Sequence, residues 1–176
     1  HGIVMNLQAL PEEALKEILA LTEAKKRLDL QEEAQNLFMP FAHHVYENFI
    51  EGRHHRVIAE KLERVARGEL KRLIINMPPR HSKSEFASFL MPAWFLGRNS
   101  KLKIIQATHN TELAVRFGRK VRDLIDDPAY KEIFPNTHLK EDNKGAGKWQ
   151  TSDGGEYFAA GVGAAVTGRG ADLFVI

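Results

Sequence analysis

The 176-residue chain has no cysteine, which excludes disulfides and thiolate metal sites together. It has no apolar run near the ~20 residues that a membrane-spanning helix needs, and no secretory leader pattern opens it. No internal repeat and no low-complexity tract divides it. Tryptophan is scarce, and both Trp94 and Trp149 sit among apolar or aromatic neighbours, so they read as packing residues. These absences point to an intracellular globular protein. With 43% hydrophobic and 27% charged residues, the chain has material for one soluble domain with a real core. His1-Gly2-Ile3-Val4, ahead of Met5, reads as an expression remnant and is left out of fold reasoning.

The formal net charge of +2 hides an uneven distribution. Residues 1–52 carry 4 Lys/Arg against 9 Asp/Glu, a net −5. Residues 53–83 carry 9 against 3, a net +6, and residues 84–176 carry 12 against 11, a net +1. A basic middle segment suits a phosphate-bearing partner.

The first third reads as helical. Pro11-Glu12-Glu13 opens a helix well, and Leu15, Ile18 and Leu19 share a face. A second helical stretch is expected over Gln31 to Ile50, carrying Leu37, Phe38, Phe41, Val45 and Phe49, with Pro40 kinking or dividing it. A third runs from His54 to Arg67, with Ile58, Leu62 and Val65 inward and Gly68 as its stop. The texture then changes. Leu73-Ile74-Ile75 reads as a buried strand, Ser84 to Leu96 as a helix with a possible break at Pro92, and Leu102 to Ala107 as a second buried strand. Leu113, Phe117, Val121 and Leu124 mark a helix that Asn110 caps. Asp153-Gly154-Gly155, between Trp149-Gln150-Thr151 and Tyr157-Phe158-Ala159, signals a hairpin, and Asp172 to Ile176 a final strand. Alternating strands and helices imply an α/β fold with a mostly parallel sheet flanked by helices. The expected division is a helical segment over 5–70 packed on a core over 71–176. Because the chain stops on an apolar strand, we expect it to be a fragment of something longer.

The most informative stretch is Met77-Pro78-Pro79-Arg80-His81-Ser82-Lys83-Ser84. It follows an expected strand and opens an expected helix, the context of a phosphate-binding loop. Backbone N–H groups at a helix start point outward unpaired, and the helix dipole favours negative charge there. Lys83 is placed to reach the outer phosphates of a nucleotide, Ser84 to offer its hydroxyl to Mg²⁺, and Arg80 to add a second cation. The backbone of Pro79, Arg80, His81 and Ser82 completes the cradle, and the expected nucleotide-binding stretch extends through Glu85. Met77 and Ser82 stand where the standard G-x-x-x-x-G-K-[ST] pattern (Walker A) has its glycines. Losing the second glycine is tolerable if Ser82 is already helical, since only positive φ demands glycine. The plainer reading of the same residues is a basic helix cap after a strand.

At this loop the sequence resembles the large terminase subunits of tailed bacteriophages, ATPases that pump DNA into empty capsids. The resemblance runs through Arg53 to Glu60, Leu73 to Glu85, Ala107 to Ala114 and Thr167 to Asp172, covering most of residues 50–176. That family also uses a loop with an arginine inside it and serine or glycine before the lysine. The resemblance implies a RecA-like P-loop (ASCE) ATPase core, followed by a separate nuclease domain that this sequence lacks. It implies Mg²⁺-dependent ATP hydrolysis coupled to translocation of double-stranded DNA. A homo-oligomeric ring, the small terminase subunit and the portal protein are the implied partners, in the host cytoplasm during virion assembly, with no membrane. In the family, a strand like Leu173 to Ile176 leads into an aspartate that assists Mg²⁺ and a glutamate that activates water. Neither is in this sequence, so binding is expected to survive better than turnover.

Other residues carry two readings each. Arg169 between two glycines is a solvated turn residue or, by the resemblance, an arginine finger acting on a neighbouring subunit's ATP. His54, His55 and Arg56 lie near the adenine edge, as the resemblance suggests, or simply start a surface helix. Arg116, Arg119 and Lys120 form a solvated helix face or touch DNA phosphates. Thr108-His109-Asn110 resembles a helicase loop that couples ATP to DNA movement. His43-His44 and His54-His55 do not make metal sites: neighbouring helical residues diverge by about 100°, and no matching carboxylate is evident. Gly161-Val162-Gly163-Ala164-Ala165 lacks the strand–turn–helix context, and the acid about 20 residues on, of a dinucleotide fingerprint. A helicase-type P-loop ATPase and a non-hydrolysing nucleotide-binding assembly module remain as alternatives.

Overall fold

The computed structural model describes residues 11–164, 166 and 168–176; the expected remnant His1–Val4, and Ala165 and Thr167 of the glycine-rich segments, lie outside the described residues. Helix α1 (Glu12–Asn36) begins behind Pro11 with Glu12 and Glu13 in its first turn, where acids suit the dipole. Its C-terminal end meets the core at Ala34, while Leu19, Leu21 and Leu28 stay exposed. The expected stretch 31–50 is divided at Leu37, not at Pro40. Leu37 adopts extended backbone (φ −118°, ψ 136°), and α2 (Phe38–Val45) starts beyond it. Pro40 falls in the first turn of α2, where an N–H has no intrahelical acceptor and its loss is harmless. The Phe38 N–H is taken by Glu63 Oε1 of the next helix at 2.8 Å. Helix α3 (Arg53–Ala66) follows the expectation closely, and Gly68 at φ +75° turns the chain out of it.

After residue 82 the chain is helical to Arg98. Lys83 and Ser84 start it, Glu85–Leu90 winds as a π turn, and α4 (Met91–Arg98) completes it. Pro92 does not interrupt the run. The wider turn just ahead of it absorbs the missing donor, with the Met91 N–H reaching the Phe86 carbonyl. Strand β1 (Lys103–Thr108), α5 (Thr111–Ile125), α6 (Pro128–Ile133), β2 (Leu139–Lys144), β3 (Lys148–Thr151), β4 (Glu156–Gly161) and β5 (Leu173–Val175) follow. The five strands form one sheet in the order β2-β3-β4-β1-β5. Its β4-β1-β5 half is parallel, with Lys103 opposite Glu156 and Ile104 opposite Leu173. Its β2-β3-β4 part is antiparallel. β3 and β4 form the hairpin around Asp153-Gly154-Gly155.

One hydrophobic cluster joins helices and sheet. Its large aromatics pair their buried polar ends with acceptors, as buried N–H and O–H groups require. Trp94 Nε1 donates to the Ala34 carbonyl at 3.0 Å, Trp149 Nε1 to that of Gly118 at 3.0 Å, and the Tyr130 hydroxyl to that of Ala93 at 2.8 Å. Trp149 stacks flat on Tyr157 at 4.8 Å, whose hydroxyl donates to Gln106 Oε1 at 2.9 Å. Burial pushes the Tyr157 hydroxyl pKa far above its ordinary value.

The segment expected to be a buried strand departs from expectation. Leu73-Ile74-Ile75 belongs to no strand of the sheet, and Ile74 is 85% exposed. Burial alternates along it: Leu73, Ile75 and Met77 pack against the core, while Arg72, Ile74 and Asn76 face out. Alternation is the mark of one buried face, whereas a strand buried on both faces has none. A cavity of about 680 Å³ lies between this segment and β5, so the two do not form a ladder.

Candidate functional site

The loop after this segment reverses direction within a few residues, and its backbone shows the cost. Arg80 and Ser82 adopt left-handed backbone at φ +64° and +58°. Each such residue with a Cβ costs about 1–2 kcal/mol. Ser82 is therefore not already helical, and the condition for a tolerable loss of the glycine is not met: the position keeps the positive φ of a glycine with a serine in it. The Phe86 N–H closes the first turn on the Ser82 carbonyl at 2.9 Å, and His81 Nδ1 donates to the Pro79 carbonyl at 2.9 Å. Strain of this kind persists where the surroundings over-determine the backbone, which is common at binding sites.

Lys83 and Ser84 are both exposed in the first helical turn and line the 680 Å³ cavity with Leu173, Phe174, Val175 and Ile176 of the β5 end. Arg80 is exposed, and neither it nor Lys83 forms an ion pair with a described residue. Lys71 and Arg72 stand exposed on the same cavity and join Lys83 as its cations. A second cavity of about 600 Å³ lies between α3 and the extended segment. Its walls are mainly apolar, with Val57 and Ile58 on one side and Ile74 and Met77 on the other, and Arg53, Lys61 and Asn76 at the polar positions. None of these was singled out as lining from the sequence. The signal was the 53–57–61 spacing on α3 set against the alternation in 73–77.

The three residues expected together at a nucleotide edge are separated by the fold. His54 lines the second cavity, and its ring lies 5.8 Å from that of His81 in the loop. His55 is buried, stacks on Phe86 at 4.9 Å, and accepts the Gly52 N–H on Nδ1 at 2.8 Å. Burial, and then the neighbouring His54, hold the His55 pKa below its ordinary value. Arg56 points out of the site and pairs with Glu51.

The other candidates are also placed differently from one another. Arg169 lies back on its own chain: Nη1 is 2.9 Å from Glu156 Oε1, and the guanidinium sits 4.1 Å from the Phe158 ring centroid. Arg116 and Arg119 are exposed on α5, with Glu112 four residues before Arg116, while Asp123 is held by Arg122 at 2.7 Å. Lys120 leaves that face. It is half-buried, with Nζ 2.7 Å from Glu85 Oε2. Thr108 ends β1, His109 follows it, and the Asn110 side chain accepts the Leu113 N–H at 2.7 Å as the cap of α5. His43 and His44 each meet a carboxylate that sequence spacing did not reveal, Glu51 at 2.6 Å and Glu132 at 2.9 Å. Gly161 closes β4 against Thr111, where an added Cβ would stand 2.4 Å from the Thr111 nitrogen. No helix of the described residues is long and apolar enough to cross a membrane. Compared with models of protein families, with curated proteins and with solved structures, the chain finds no match in any of the three.

Proposed function

We propose that this chain binds Mg-ATP through the loop 78–84 and belongs to the ATPase part of a viral DNA-packaging terminase large subunit, built on a P-loop core. The observation that carries the reading is the loop itself. It is a strained, basic turn that carries Arg80 and delivers Lys83 and Ser84 into the first turn of a helix, where both line a cavity together with Lys71 and Arg72. Such a turn collects unpaired backbone donors, a favourable dipole and two cations at one place, which suits a polyphosphate. The donor set fits Mg²⁺ carried by a nucleotide better than a bare ion: Mg²⁺ keeps several waters and takes one or two protein oxygens plus phosphates, and Ser84 supplies one hydroxyl. When bound, the ion would neutralise phosphate charge. Arg80 and Lys83 would hold the outer phosphates, and the cavity behind His54 has the apolar walls a nucleobase needs.

In the assembled motor, hydrolysis would drive double-stranded DNA into a procapsid through a homo-oligomeric ring with the small subunit and portal. Arg169 would have to leave Glu156 and Phe158 to act on a neighbour. Calorimetric titration of Mg-ATP into the protein and into Lys83→Ala tests the reading. We expect saturable binding in the first and its loss in the second. Equal binding by both would sink the assignment of Lys83, and no binding by the folded protein would sink the phosphate site.

A further inference from the structure

Glu85 is the acid in the first turn of the phosphate-loop helix, directly after Ser84. The helix dipole favours a carboxylate there. For a phosphate ligand it is the wrong charge in the wrong place. The fold meets it from α5. Lys120 Nζ lies 2.7 Å from Glu85 Oε2, with both side chains partly buried, at 36% and 28% exposed. The same ammonium sits 4.4 Å from the ring centroid of Phe89, four residues further along the helical run. Tyr46 stands near enough for the Glu85 charge to help burial raise its hydroxyl pKa. Glu85 is thus turned toward α5 and Tyr46.

We propose that Lys120 is a positioning residue of the phosphate site: it holds and neutralises Glu85, so that an acid beside the loop does not repel the bound phosphates. The proposal rests on the phosphate-site reading above. It gives Lys120 a task inside the fold, separate from the exposed arginines of the same helix. An uncompensated carboxylate next to a polyphosphate weakens binding by a Coulomb energy that salt reduces.

The test is a double-mutant cycle. Mg-ATP and Mg-ADP are titrated into the unmutated protein, Lys120→Met, Glu85→Gln and the double variant, at low and high salt, with thermal melts confirming that each is folded. Lys120→Met should bind Mg-ATP on the order of tenfold more weakly at low salt, with a smaller loss for Mg-ADP and at high salt. Glu85→Gln should bind no worse than the unmutated protein, and the double variant should return to within about threefold of it. If Lys120→Met does not fold, Lys120→Gln carries the same comparison, and Lys120→Arg should keep full binding. A double variant as weak as Lys120→Met, or a loss insensitive to salt, would mean that the lysine acts by packing and would overturn the proposal. Full affinity in Lys120→Met would overturn this proposal alone. No binding by the unmutated protein would remove the phosphate-site reading and this one with it.

Discussion

Ser82 carries a constraint that its residue type does not advertise. At φ +58° it holds a conformation that glycine adopts without steric cost. Ser82→Gly relieves the Cβ clash but loosens the unfolded chain, and the first effect is the larger in left-handed backbone. We expect a net gain of about 1 kcal/mol in unfolding free energy, read by denaturant titration. Nucleotide binding should persist in this variant, because the backbone path is unchanged. His55 gives a second residue-level prediction. Its pKa is lowered in the folded state by burial, so the unfolded chain takes up the proton first as pH falls. The neutral ring's contribution is fully present above about pH 6.5 and declines as pH drops below that value. Melting temperature should therefore fall between pH 7 and 5, and by less in His55→Phe. An equal slope in both proteins would show that another group controls it.

At the scale of elements, α5 is held to the sheet where it is thinnest. Gly118 lets the helix approach until an added Cβ would stand 2.6 Å from the Ala146 carbonyl and 3.0 Å from the Tyr157 ring. Alanine raises helix propensity here, yet the close contact is with backbone that cannot swing away. Gly118→Ala should destabilise the protein by about 1–3 kcal/mol, measured as a lower denaturation midpoint at constant slope. Asn110→Ala should cost about 1 kcal/mol through loss of the cap. The cap was legible because Asn110 sits just ahead of a clear apolar period. The hairpin was legible because Asp153-Gly154-Gly155 parts two aromatic runs. α3 was legible because Gly68 ends its pattern. Local signals set these elements, and local signals are what a sequence displays. The unpaired state of residues 72–77 was not legible, since an apolar triplet looks alike whether or not a neighbouring strand accepts it. The loop was readable as a contiguous string, Pro78 to Ser84. The Glu85–Lys120 pair joins positions 35 residues apart and has no signal in either neighbourhood.

For the molecule as a whole, the sheet order divides the amides into two populations. β1 is paired on both sides, whereas residues 72–77 belong to no ladder. Hydrogen exchange should be slowest in β1 and β4 and fast across 72–77, and Mg-ATP should slow it from Arg80 to Phe86. Uniform protection along the chain would contradict this. The order β2-β3-β4-β1-β5 also has a consequence during synthesis. β1 leaves the ribosome before either of its partners exists, since Lys103 pairs with Glu156 and Ile104 with Leu173. At about 5–20 residues per second, the bare strand waits several seconds for β4. Through that interval Ile104 and Ile105 have α5 to lean on but no neighbouring strand. Translation rate between Thr108 and Glu156 is therefore a lever on yield: pauses there prolong the exposure of an apolar edge, and a fast passage shortens it.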